Sequence, residues 1–80
     1  MDVKTVVLSA RQTECLWWAS LGKTAKETAL ILGVTERTVN FHLYTAFGKL
    51  NVHSKNAAVA KAVRFNLLTE APATASVRNR

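Results

Sequence analysis

Residues 24–50, TAKETALILGVTERTVNFHLYTAFGKL, decide the fold. Thr24 with Glu27 three residues on is a capping box: the hydroxyl accepts from an early N–H, and the carboxylate reaches back to the cap. The pair opens a helix running to about Leu32, and Gly33 ends it by entering the positive-φ region that a side chain resists. Thr35 caps the next helix, with Glu36 in its first turn against the positive end of the helix dipole. That helix is expected to reach about Leu50. Ala29, Gly33 and Val39 stand at spacings of four and six residues. A small residue lets two helices cross closely, the glycine makes a short turn, and Val39 packs back into the crossing. This is helix-turn-helix spacing, with the motif at 25–44 and its second helix at 36–50.

The second helix of the motif has two unlike faces. Val39, Leu43, Ala46, Phe47 and Leu50 form one apolar stripe at i, i+4, i+7, i+8 and i+11, expected to face a core. Arg37, Asn40, Phe41, Tyr44 and Gly48 occupy the opposite face, flanked by Thr38, His42, Thr45 and Lys49. Hydrogen-bonding and aromatic groups projecting from an anchored helix can read base edges in a major groove about 12 Å wide. The plain alternative is a solvated face with two stray aromatics.

Outward from the motif, the rest of the chain is also helical in pattern. Ser9 with Gln12 is a second capping box, opening a helix from about Ala10 to Leu21 that ends at Gly22. Cys15, Leu16, Trp18 and Ala19 are its expected core positions, and adjacent Trp17 and Trp18 cannot both face one core. Asn51-Val52-His53-Ser54 is a short loop, and Ser54 caps a fourth helix from Lys55 to about Leu67. No stretch alternates long enough to demand a strand, so the expected fold is all-α with four helices. Residues 1–7 read as an N-terminal extension, 8–68 as one domain and 69–80, TEAPATASVRNR, as a flexible tail.

The 80 residues carry 11 Lys and Arg against 5 Asp and Glu, a net charge of +6 with pI near 10.1. Between residues 23 and 64, Lys23, Lys26, Arg37, Lys49, Lys55, Lys61 and Arg64 face only Glu27 and Glu36, a net of +5. Such an excess calls for a polyanionic partner, nucleic acid before an anionic membrane. The single cysteine, Cys15, cannot form an internal disulfide, and with His42 and His53 it lacks zinc-ligand spacing. No apolar run approaches a membrane span and the N-terminal residues do not pattern as a signal peptide, so no membrane association and a cytoplasmic setting are expected. The glycines stand singly, with no phosphate-cradling loop, and no nucleophile, base and orienter fall together. Neither an enzyme, a metal site nor a cofactor is expected.

With those residues in view, the chain resembles the C-terminal DNA-binding domain of LuxR-type transcription regulators over about residues 8–68. The resemblance is carried by LSARQTECLWW (8–18), GKTAKETALILGVTERTVNFH (22–42), KLNV (49–52) and SKNAAVAKAV (54–63). TVNFH and the last helix are most like the quorum-sensing branch, whose members carry a separate N-terminal acyl-homoserine-lactone domain. No segment corresponding to that domain lies in these 80 residues, and either an excised C-terminal piece or a free-standing member fits them. Five positions depart from the usual pattern. Gln12 replaces Glu, Thr28 replaces Ile, Thr45 replaces Asn, Gly48 stands where a basic residue is frequent, and Asn66 replaces Gly.

The resemblance and the outward face together make Asn40, Phe41, Tyr44 and Arg37 the candidate base contacts on double-stranded DNA. Candidate phosphate contacts are Lys23, Thr24, Lys26, Thr38, His42, Thr45, Lys49 and Lys55, with the N–H groups opening the helix that Thr24 caps. The resemblance further implies that the last helix pairs two domains, and Val59, Ala60, Ala62, Val63 and Phe65 supply apolar atoms for such a homodimer on a dyad site. Trp17 or Trp18 could meet RNA polymerase or a partner domain. Two other readings share part of the pattern. One is a sigma-factor-like promoter-binding region, which would not predict KLNV before a long fourth helix. The other is an interaction module or anti-activator that kept the fold and lost DNA binding.

Overall fold

The computed structural model describes residues 6–72. Residues 24–50 form two helices joined by a tight turn, as their caps require. The elements are α1 (Ala10–Ser20), α2 (Ala25–Leu32), α3 (Glu36–Leu50) and α4 (Lys55–Arg64). No strand occurs among the described residues. Both capping boxes form: the N–H groups of Gln12 and Glu27 donate to Ser9 and Thr24 hydroxyls, each at 3.1 Å. In return, the Ser9 and Thr24 N–H groups donate to Gln12 Oε1 at 2.9 Å and Glu27 Oε1 at 2.8 Å. Thr35 and Ser54 cap α3 and α4 in the same way, accepting from the N–H groups of Thr38 and Ala57.

The α2–α3 turn rests on Gly33, which closes α2 at φ 72° and ψ 33°, its N–H donating to Ala29 O. A Cβ built there would meet nothing within 4 Å, so only the backbone resists substitution. Gly48 lies inside α3 without a positive φ, and a Cβ there also meets open space. Opposite signs follow. Gly33→Ala should destabilise by about 1–2 kcal/mol through the left-handed conformation. Gly48→Ala should stabilise by about 0.5–1 kcal/mol by removing backbone freedom from the unfolded chain. Urea titration of the two variants checks both signs.

Two turns end on asparagines. Asn51 closes α3 at φ 58°, and the Val52 N–H donates to Phe47 O at 3.0 Å. Asn66 stands at φ 60°, and the Leu67 N–H donates to Ala62 O at 2.8 Å. The fourth helix therefore ends at Arg64 rather than near Leu67. The left-handed residue reverses the chain, and Leu67 and Leu68 fold back against the core.

The core holds Cys15, Leu16 and Trp18 of α1, Ala29 and Leu32 of α2, Val39, Leu43, Ala46 and Leu50 of α3, and Ala58 and Ala62 of α4. Ala19 and Phe47, expected inside, are half-buried. Trp18 is buried, while Trp17 is half-exposed and meets it edge-on at 5.0 Å. Val6, ahead of the boundary expected at residue 8, also packs against the core. Residues 1–5 of the expected extension and 73–80 of the expected tail lie outside the described residues. Burial, with the Glu14 carboxylate adding to it, pushes the Cys15 thiol up to about 11, so it stays protonated at neutral pH.

Polar groups also fasten the helices. Gln12 and Thr28 are buried, and the Thr28 hydroxyl donates to Thr24 O at 2.9 Å. The Lys61 ammonium donates to Leu50 O at 2.8 Å, joining α4 to the negative end of the α3 dipole. The Lys49 ammonium donates to Val7 O and to Gln12 Oε1, both at 2.9 Å, joining α3 to the start of α1.

Candidate nucleic-acid interface

Helix α3 packs against α2, α1 and α4, its buried stripe of Val39, Leu43, Ala46 and Leu50 lying in the core. The remaining face is free. Phe41 and Tyr44 are 64% and 66% exposed, far more than a large aromatic keeps in a core. Arg37 is exposed and Asn40 half-exposed on the same face. The structure thus brings together the four residues singled out as base contacts. Each exposed ring has an edge-on neighbour: Phe41 meets His42 at 5.6 Å and Tyr44 meets Phe47 at 5.6 Å. Such contacts limit the directions the rings sample before a ligand arrives.

The lysines expected to meet phosphate divide into two groups. Lys23, Lys26 and Lys55, like the candidate base contact Arg37, make no ion pair among the described residues, where the ion pair seen is Arg11 with Glu14 on α1 at 3.0 Å. Lys49 belongs to the other group. Its two hydrogen bonds turn the ammonium of this exposed residue towards α1, so a direct phosphate contact would exchange or share them. The ammonium of half-buried Lys61 is likewise bound within the fold.

Hydroxyls divide by the direction of their bonds, because a phosphate oxygen only accepts. The Thr38 oxygen accepts from the Thr35 hydroxyl at 2.9 Å, which leaves its own proton available. Thr24 accepts from the Glu27 N–H and its hydroxyl also supports the Glu27 carboxylate, so a phosphate contact there would compete with the cap. The Thr45 hydroxyl instead donates to Phe41 O at 2.8 Å, so a phosphate contact would break a bond within α3. His42 is half-buried beside Phe41.

The start of α2 combines positive and negative features. The Thr24 N–H bonded to its oxygen holds the Glu27 carboxyl below its ordinary 4.5, with the Thr24 hydroxyl and Lys23 assisting. A depressed carboxylate contributes stability above its unfolded value and loses it as pH falls through the folded value. The cap of α2 should therefore weaken below about pH 4.5. Glu27→Gln should flatten that part of the acid limb, as read from melting temperature against pH.

On α4 the pairing candidates separate. Val63 is 57% exposed, Ala60 is exposed, Val59 is half-buried and Phe65 is 39% exposed. Ala62 is fully buried against the domain's own core, so it cannot face a partner, which corrects its place in the pairing set. Sequence reasoning also missed the bonds of Lys49 to Gln12 and Val7 and of Lys61 to Leu50. Those partners lie 11 to 42 residues away in sequence, beyond any local signal.

A helix-turn-helix whose second helix is anchored on one side and presents amide, guanidinium and aromatic groups on the other has the architecture of a DNA-binding domain. The family described as bacterial regulatory proteins, luxR family, matches residues 6–62, and the chain belongs to it. The chain is 52% identical over 61 residues to the transcriptional activator protein AnoR of Acinetobacter nosocomialis, covering 76% of this chain and 26% of that protein. It is 51% identical over 61 residues to the transcriptional activator protein AhyR of Aeromonas hydrophila, covering 76% and 24%. The HTH-type quorum sensing-dependent transcriptional regulator RpaR of Rhodopseudomonas palustris is 51% identical over 61 residues, covering 76% and 25%. The chain thus spans about a quarter of the length of these curated relatives.

Proposed function

We propose that α3 enters the major groove of double-stranded DNA with Asn40, Phe41, Tyr44 and Arg37 meeting base edges, and that the domain thereby regulates transcription. The observation carrying this reading is the exposed face of α3, with two aromatics more than 60% exposed on a helix otherwise locked to its neighbours. Asn40 suits adenine, which offers an acceptor and a donor to one amide, and Phe41 suits a thymine methyl. Lys23, Thr24, Lys26, Thr38, His42 and Lys55 fix the register on the phosphates. Two copies pair through the outward side of α4, with Val59, Ala60, Val63 and Phe65 at the contact and Ala62 excluded. The half-sites then lie about one helical turn apart. Half-exposed Trp17 is the candidate for a polymerase or partner-domain contact. No catalytic role is assigned to the chain. The setting is the cytoplasm, and no helix among the described residues is long and apolar enough to cross a membrane.

Selection of bound sites from a randomised duplex pool tests the reading. A dyad-symmetric consensus is expected, an asymmetric one would remove the paired arrangement, and no binding to any duplex at low salt would remove DNA binding altogether. Asn40→Ala should relax preference at about one base pair, with a loss of roughly 1–3 kcal/mol on the preferred site. Equal weakening on every sequence would instead make Asn40 a backbone contact.

A further inference from the structure

Gln12 joins two roles that need not coincide. Its Oε1 closes the α1 capping box by accepting from the Ser9 N–H, and it also accepts from the Lys49 ammonium, both at 2.9 Å. Both partners are donors, so the amide orientation is fixed. Gln12 is only 6% exposed, whereas Lys49 is an exposed residue of α3. The ammonium thus gains two acceptors, Gln12 Oε1 and Val7 O, and neither carries a formal charge. A carboxylate in the place of Gln12 would hold the same lysine at the same distance and cancel its charge.

Position on α3 makes that difference matter for DNA. Lys49 lies on the flank shared by Thr38, His42 and Thr45, beside the face of Asn40, Phe41 and Tyr44. A helix with its side chains is about 10–12 Å across. The screening length at 0.1 M salt is about 10 Å, so an ammonium there still acts on phosphates it does not touch. We propose that Gln12 sets DNA affinity at a distance: it braces α1 to α3 through a neutral acceptor and leaves the full charge of Lys49 to attract the DNA backbone. Gln12 and Lys49 are then positioning and field-setting residues, not contacts. The inference rests on the DNA-binding reading above.

The test compares Gln12→Glu, Lys49→Met and the native domain by melting temperature and by affinity for random-sequence and selected duplexes across a salt series. Gln12→Glu makes the bond from the Ser9 N–H charge-assisted, turns the Lys49 bond into an ion pair and places a carboxylate at the positive end of α1, so its melting temperature should rise. Lys49→Met removes the brace, and its melting temperature should fall. Affinity should nevertheless drop in both, roughly threefold at 50 mM salt and equally on all sequences, with the gap closing as salt rises. A shared loss of affinity with opposite shifts in stability is the expected signature. The inference is overturned if Gln12→Glu binds as tightly as the native domain, or if affinity simply follows melting temperature. Should Lys49→Met fail to fold, Gln12→Glu alone decides, measured well below its melting temperature. If the native domain binds no duplex at all, the DNA-binding reading falls first and this inference with it.

Discussion

Trp18→Ala is expected to remove about half or more of the domain's stability and to lower its urea midpoint in proportion. Trp18 is 1% exposed and is the largest of the fully buried side chains. Its carbonyl also accepts from the N–H groups of Leu21 and Lys23, each at 3.1 Å, so the residue anchors the turn out of α1 as well as the core. Helix α1 packs on α2, α3 and α4. A cavity at this position therefore loosens the contacts that orient α3. Truncating a buried tryptophan costs about 3–5 kcal/mol. A domain of this size has roughly 3–10 kcal/mol in total, at about 0.05–0.15 kcal/mol per residue. Far-ultraviolet circular dichroism against urea reads the outcome. A variant with a native midpoint would show that the four helices do not share one core around Trp18. Trp17→Ala is the control, since Trp17 is half-exposed and its loss should be much smaller.

DNA affinity should fall about fortyfold per domain between 50 and 200 mM salt. Three lysines proposed to meet phosphate, Lys23, Lys26 and Lys55, make no ion pair among the described residues. Each neutralised phosphate contributes about −0.9 to the slope of log affinity against log salt, so three give roughly −2.7. Lys61 should add little, because its ammonium is bound to Leu50 O. Lys26→Ala should flatten the slope by about one while leaving base preference intact. A slope near zero would assign the exposed α3 face to a protein partner instead of DNA. A slope near twice this value on a dyad site would fit two domains bound together.

The helices were legible because their signals are local. Ser9, Thr24, Thr35 and Ser54 act on N–H groups three residues away, and all four cap the helices they were expected to open. The two faces of α3 follow from the 3.6-residue period, so exposed Phe41 and Tyr44 and buried Val39, Leu43, Ala46 and Leu50 could be assigned before any tertiary contact was known. The end of α4 was less legible. Leu67 and Leu68 extend an apolar pattern that suits a longer helix, and the return of the chain at Asn66 depends on a core for those leucines to meet.

The sequence by itself therefore determined the family, the helix-turn-helix and the face of α3 that is left outward, because spacing and capping act within one or two turns. Only the tertiary structure decided which of the positive charges are tethered. Lys26, Lys49 and Lys61 are alike as residue types, yet the carbonyl oxygens of Val7 and Leu50 and the amide of Gln12 bind the ammonium groups of two of them, Lys49 at the surface and Lys61 half-buried. Packing likewise turned Ala62 into the core and left Val63 outside. A lysine's role is set by the acceptors within about 3 Å of its ammonium, and folding alone brings those acceptors there.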